Sequence, residues 1–259
     1  MEHLREAVER AMRQAGDKLP TQRDFAVRSK ANDHDFVTDM DVRMQEELRV
    51  SLGKVLPEAA FLSEEDLSQQ PADGQLYWLV DPIDGTTNFV RDLHLSCLAV
   101  ALCRAGEAIA GAVYCPWSGE FFWAEKGRGA TCNGQPLHVS DKVLADAVVC
   151  FGQGYGERPV TLGKLYPLLE KCYIECVNVR ALGVAELMLC YVAAGRMDGY
   201  FEYAIMPWDY AAGGLILREA GGVCTTWLGE VPSLAQGGSI LAGNPACHTA
   251  LLPLAGTSF

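Results

Sequence analysis

The stretch Leu76-Tyr77-Trp78-Leu79-Val80 is apolar at every position and reads as a buried strand of an α/β fold. It runs directly into Asp81-Pro82-Ile83-Asp84-Gly85-Thr86-Thr87-Asn88. Carboxylates and hydroxyls therefore gather at the C-terminal end of a strand, where open α/β sheets place ligands. Pro82 lacks an N–H and fixes its own φ, and Gly85 permits a tight bend, so backbone carbonyls are free to turn inward. Such a loop offers only hard oxygen donors, which suit Mg²⁺ rather than zinc. Asp-Pro and Asp-Gly are also ordinary turn dipeptides, so the loop alone leaves a plain strand-ending turn open.

Three further segments carry matching acids. Phe61-Leu62-Ser63-Glu64-Glu65-Asp66 puts a carboxylate pair at another strand end, and Thr38-Asp39-Met40-Asp41 opens a helix. Met206-Pro207-Trp208-Asp209-Tyr210-Ala211-Ala212-Gly213 opens a second helix with an acid in its first turn. Each segment has a structural explanation as well. Thr38 with Asp41 is a helix N-cap pair, and Ser63-x-x-Asp66 imitates one. Asp209 complements a helix N-terminus, and Glu64 with Glu65 could be a solvated loop. Their coincidence in one chain favours a metal site.

Together these segments resemble the inositol monophosphatase family. Its motifs stand in order: E-E at Glu64-Glu65, D-P-I-D-G-T-T-N at 81–88 and W-D-x-A-A-G at 208–213, with the likeness running from about residue 30 to about residue 245. The resemblance implies an alternating αβαβα five-layer sandwich with the active site where two halves meet. It implies a Mg²⁺-dependent, lithium-sensitive phosphomonoesterase acting on inositol monophosphate or a related sugar phosphate by direct attack of metal-activated water. Matched position by position, Glu64, the Ile83 carbonyl and Thr86 would join Asp81 around one ion, and Asp84 and Asp209 would join it around a second. In-line cleavage with two cations about 3.5–4 Å apart needs one bridging carboxylate, for which Asp81 at the rigid strand end is the best candidate. A looser third ion would also touch Glu64, with Lys30 on a basic loop nearby.

Asp41 would accept from the Thr86 hydroxyl, so that the pair polarises the attacking water. The backbone N–H groups of Gly85, Thr86 and Thr87 could cradle phosphate oxygens. Glu202 stands where the family binds sugar or inositol hydroxyls, and Gly183-Val184-Ala185 completes the wall that begins at Arg180. Val184 occupies a place where a hydroxyl residue is usual, and Glu186 one where a small residue is common. Related members act on histidinol phosphate, nucleotide 3′-phosphates or fructose bisphosphate. The nucleotide branch carries G-T-K-x-F where this chain has Gly85-Thr86-Thr87-Asn88-Phe89, which favours a polyol phosphate. D-P-I-D has the wrong spacing for a D-x-D aspartyl-phosphate enzyme. A catalytically silent metal-binding regulatory protein is the non-enzyme alternative, and the complete ligand set speaks against it.

A net charge of −12 argues against nucleic-acid partners. It suits an anionic substrate only if bound cations reverse the local field. No apolar run approaches the ~20 residues of a membrane span. The N-terminus reads as an amphipathic helix rather than a secretion signal. The ten cysteines are scattered without C-x-x-C and the five histidines are dispersed, which points to buried thiols of a reducing cytoplasm rather than to disulfides or zinc. A homodimer is expected.

Glycine-containing turns between about residues 96 and 138 predict an antiparallel sheet of hairpins, and β/α alternation follows from about 145. The chain is therefore expected to divide into halves 1–140 and 141–259. A strand is expected over 173–177, and Gly152-Gln153-Gly154-Tyr155-Gly156 reads as a mobile loop rather than a dinucleotide fingerprint.

Overall fold

The computed structural model describes residues 2–22, 24–29, 36–64, 66, 71–154 and 158–256. Lys30, Glu65, Tyr155 and Gly156 lie outside the described residues.

The chain begins with helix α1 (Glu2–Gly16), short strands β1 (Val27–Ser29) and β2 (Phe36–Thr38), and helix α2 (Asp39–Val55). Thr38 starts α2 through a capping box: its side chain accepts from the Met40 and Asp41 N–H groups, and Asp41 accepts from the Thr38 N–H. Met40, Met44, Leu48 and Leu52 then recur at helical spacing and are buried.

Next come β3 (Ala60–Ser63), β4 (Leu76–Asp84), the one-turn helix α3 (Thr86–Val90), β5 (Cys97–Arg104), β6 (Glu107–Cys115), β7 (Glu120–Glu125), β8 (Ala130–Cys132) and β9 (Gln135–Pro136). The seven strands β3 to β9 lie side by side in chain order. Only β3 and β4 pair in parallel, and the rest is the expected run of antiparallel pairs.

The remainder is β10 (Val148–Phe151), α4 (Arg158–Glu175), β11 (Asn178–Arg180), α5 (Ala185–Ala193), β12 (Gly199–Ile205), α6 (Ala211–Glu219), β13 (Val223–Thr225), β14 (Gly238–Gly243) and α7 (Pro245–Gly256). Its strands form a second sheet in the order β11-β10-β12-β14-β13.

Strand alternation builds the layers. On β5, Leu98, Val100 and Leu102 face one apolar cluster with α1 and α2, while Cys97, Ala99, Ala101 and Cys103 face another. That second cluster contains α5, α6 and one face of the second sheet through Cys150, Tyr200, Ile240 and Ala242. Val149, Phe201 and Leu241 point the other way, onto α4 and α7. Helices, sheet, helices, sheet, helices is the αβαβα sandwich that the resemblance implies.

Residues 173–177 are not a strand. Helix α4 runs to Glu175 because Leu165, Leu168 and Cys172 are buried at helical spacing, which outweighs the strand preference of Tyr173, Ile174 and Val177. The strand follows at Asn178. All ten cysteines are free thiols. Among the described residues, no helix is long and apolar enough to cross a membrane.

Candidate active site

In an unbroken strand Asp81 and Asp84 would point to opposite faces, because side chains alternate. They do not, because β4 bulges. Asp81 pairs with Ala99 and Asp84 with Cys97, so β4 spends one residue more than β5 over this span. Both carboxylates therefore turn to the face of Ala99 and Cys97, against α5 and α6, while Ile83 packs in the cluster with α1 and α2. The chain then bends at Gly85, whose φ is 84°. A Cβ there would sit 3.0 Å from the Leu95 carbonyl and 3.2 Å from that of Gly183, so only glycine fits this left-handed turn. Asn88 fastens the turn to the neighbouring wall, donating from Nδ2 to the carbonyls of Leu95 at 2.8 Å and Leu182 at 2.7 Å.

Glu64 directly follows β3, the parallel neighbour of β4. Asp209 does not lie in the first turn of a long helix, as its sequence context suggests. It closes a short 3-10 turn, Pro207–Asp209, and α6 begins at Ala211. Pro207 has no N–H to continue a ladder, and Asp209 Oδ2 accepts from the Met206 N–H at 3.0 Å, which fixes the carboxylate. Thr86 donates to Asp41 Oδ1 at 3.1 Å and lies equally close to the Ile83 carbonyl. Asp41 is locked in turn by the Thr38 N–H at 2.7 Å and the Thr38 hydroxyl at 2.6 Å.

These acids are buried together. Burial, and then the charges of Glu64, Asp84 and Asp209, hold Asp81 well above the usual carboxylate range. Burial, then Glu64 and Asp84, does the same for Asp209. Asp84 is pushed up to about 7 by burial, although the N–H groups of Ala185 and Glu186, 3.2 and 2.6 Å away, oppose the shift. As the side chains stand, no three His, Cys, Asp or Glu groups among the described residues converge closely enough to share one ion. Their chemistry nonetheless fits hard divalent cations: the donors are all oxygen, and each carboxylate retains lone pairs beyond the bonds it accepts.

Asp84, Thr87, Gly183, Val184, Ala185, Glu202 and Asp209 line a single cavity of about 570 Å³. Asp41, Glu64, Asp81, Ile83, Gly85 and Thr86 do not line it. The Glu64 charge acts on Asp84 and Asp209 at its edge, and the charges of Glu64, Asp84, Asp209 and Asp41 all act on Asp81. Arg180 stays outside the cavity and bonds to Asn178.

Glu202 is held at about 7 by burial, opposed by hydrogen bonds from the Tyr200 hydroxyl and the Gly154 N–H. The segment read as a mobile loop is therefore pinned over residues 152–154: Gly152 also donates to the Phe201 carbonyl at 3.0 Å. The paired glycines were the available signal, because they let this backbone close over the Glu202 carboxylate. Tyr200, and the exposed arginines Arg91 and Arg158 that line the cavity, carry no motif that marks them.

Comparison with known proteins gives the family to which this five-layer fold and its paired aspartates belong. A sequence model described as the inositol monophosphatase family matches residues 1–258, so the chain belongs to that family. It is 39% identical over 222 residues to an inositol-1-monophosphatase of Mesorhizobium japonicum, covering 84% of this chain and 82% of the relative. It is 34% identical over 247 residues to the Nus factor SuhB of Escherichia coli K12, covering 94% and 92%. The solved structure of the Thermotoga maritima IMPase superimposes with a TM-score of 0.88 at 30% identity, over 100% of this chain and 98% of that one. The family is generally Mg²⁺-dependent, with lithium sensitivity a general trait.

Proposed function

We propose that the protein hydrolyses the phosphomonoester of a small polyol, inositol monophosphate or a related sugar phosphate, with Mg²⁺ held by Glu64, Asp81, Asp84, Asp209, the Ile83 carbonyl and Thr86. The observation that carries this is that Asp84 and Asp209 open onto the same cavity as Glu202. Acids suited to cations thus stand beside an acceptor suited to a hydroxyl. Two or three Mg²⁺ ions, when bound, would lower the pKa of the attacking water and neutralise the phosphate and the leaving oxygen.

The chain's own groups orient the rest. Asp41 takes the Thr86 hydroxyl proton into a hydrogen bond, which leaves Oγ1 lone pairs facing the site. The Thr38 bonds keep Asp41 from rotating away. Glu202, aimed by Tyr200, accepts from an alcohol hydroxyl, and Val184 offers an apolar wall where others present a hydroxyl. The N–H groups at the start of α3 meet phosphate oxygens.

A second substrate reading is favoured by Arg91 and Arg158 on the same cavity. Guanidinium groups there suit a second anionic group, as in a sugar bisphosphate or a nucleotide 3′-phosphate. The relatives named Nus factor favour a non-enzymatic role for some members, and the intact acid set favours catalysis here.

A panel of phosphomonoesters, with kcat/KM measured in Mg²⁺ and in chelator, separates these readings. Polyol monophosphates are expected to lead the panel, with hydrolysis lost in chelator. Glu202→Gln is expected to lower kcat/KM for the preferred polyol about 10- to 100-fold, mostly through KM, because a charge-assisted hydrogen bond is worth about 1.5–3 kcal/mol. An unchanged ranking of alcohols in this variant would remove Glu202 from the substrate wall. Bisphosphates outrunning every monophosphate would give the site to the second reading.

A further inference from the structure

Glu186 is a buried carboxylate, 0% exposed, at a position where a small residue is common, and it does not line the cavity. A buried acid costs several kcal/mol unless its oxygens are satisfied. Both are. Oε1 accepts from the Ala212 N–H at 3.1 Å, and Oε2 accepts from the Gly213 N–H. Those donors belong to the first turn of α6, whose dipole favours an anion there. The main chain of the same residue points elsewhere: its N–H donates to Asp84 Oδ2 at 2.6 Å.

One residue is therefore bonded to Asp84 through its backbone and, through its side chain, to the helix that begins two residues after Asp209. The W-D-x-A-A-G motif accommodates this contact. A Cβ on Gly213 would stand 2.5 Å from Glu186 Oε2 and 2.8 Å from Leu189 Cβ, closer than packing allows. Gly213 is thus the residue that admits the carboxylate. Helices α5 and α6 pack against one another in the middle layer. The two bonds to Glu186 tie α5 to the start of α6.

We infer that Glu186 is a positioning residue: it fixes the start of α6, and with it Asp209, against Asp84, and so sets the affinity for Mg²⁺ from outside the cavity. The role rests on the phosphatase reading, in which both aspartates ligate the metal. A buried acid that merely staples two helices predicts something different. Its removal would lower the melting temperature and leave Mg²⁺ affinity unchanged.

The test compares the full-length wild type with Glu186→Ala, Glu186→Gln and Gly213→Ala. Gly213→Ala keeps the carboxyl group but sets a Cβ 2.5 Å from Glu186 Oε2, 2.8 Å from Leu189 Cβ and 2.9 Å from the Glu186 carbonyl, so it moves the start of α6 off α5 and serves if Glu186→Ala does not fold. Mg²⁺ binding is titrated calorimetrically without substrate, alongside the rise in melting temperature that Mg²⁺ produces and the Mg²⁺ concentration for half-maximal hydrolysis. Glu186→Ala and Gly213→Ala are expected to weaken Mg²⁺ binding about tenfold or more and to raise the half-activating concentration equally, with substrate KM at saturating Mg²⁺ within about twofold of wild type. Glu186→Gln, which keeps one acceptor oxygen, is expected to fall between. Wild-type Mg²⁺ affinity in folded variants would overturn the role of Glu186 and leave the phosphatase reading standing. Absence of Mg²⁺ binding by the wild type would overturn that reading, and this role with it.

Discussion

Replacing Asp81 by asparagine is expected to lower kcat by a factor on the order of a thousand or more, with little change in fold. Asparagine keeps the shape and one acceptor oxygen, so the Ile83 N–H bond to the Asp81 side chain, 2.9 Å in the wild type, survives the change. What disappears is a negative charge at the point where the charges of Glu64, Asp84 and Asp209 all act. In the proposed site that charge is the one that would bridge the two cations. Asp209→Asn is expected to follow with a similar loss. The measurement is kcat at saturating Mg²⁺, with circular dichroism and a melt to confirm folding. A near-normal kcat for folded Asp81→Asn would end the assignment of Asp81 as the bridge.

The strand and its loop were legible because their causes are local: an unbroken apolar run, a proline and a glycine at fixed offsets. The placement of both aspartates on one face was not. D-x-x-D predicts opposite faces, and the bulge that corrects it is set by pairing with Ala99 and Cys97, which no residue near Asp84 announces. The capping box at Thr38 and the Thr86–Asp41 bond were expected and are present, the first from local pattern and the second from resemblance.

Errors fell where distant partners decide. Tyr173 to Val177 has strand-like residues, yet burial of Leu165, Leu168 and Cys172 commits most of it to α4. Gly152 and Gly154 looked like a free loop because their partner, Glu202, lies on another strand. The bond from the Glu186 N–H to Asp84 spans 102 residues of chain, and sequence alone shows only an acid where a small residue is usual.

Mg²⁺ is expected to raise the melting temperature strongly at pH 8 and weakly at pH 6. Burial raises the folded-state pKa of Glu202 to about 7, and burial with mutual repulsion raises that of Asp84 to about 7 and holds Asp81 and Asp209 well above their ordinary values. Between about pH 4, where carboxylates of the unfolded chain titrate, and about pH 7, the folded protein binds more protons than the unfolded chain. The stability these groups contribute is thus fully present below about pH 4 and is lost as pH rises through about 7. In chelator, the melting temperature should accordingly fall between pH 6 and pH 8. A cation that binds only the folded state restores stability by RT ln(1 + [L]/Kd), about 2.7 kcal/mol at a hundred times Kd. For a chain of this size that is roughly 5–10 °C. Mg²⁺ competes with protons for the same oxygens, so its benefit shrinks as they become protonated. Asp84→Asn should melt higher than wild type in chelator at pH 8, gain less from Mg²⁺, and show a flatter pH dependence. Melts at matched ionic strength, with Na⁺ replacing Mg²⁺, isolate the divalent effect. Superimposable curves for the two salts at pH 8 would leave these acids as structural caps and turns, and the hydrolysis without its cation.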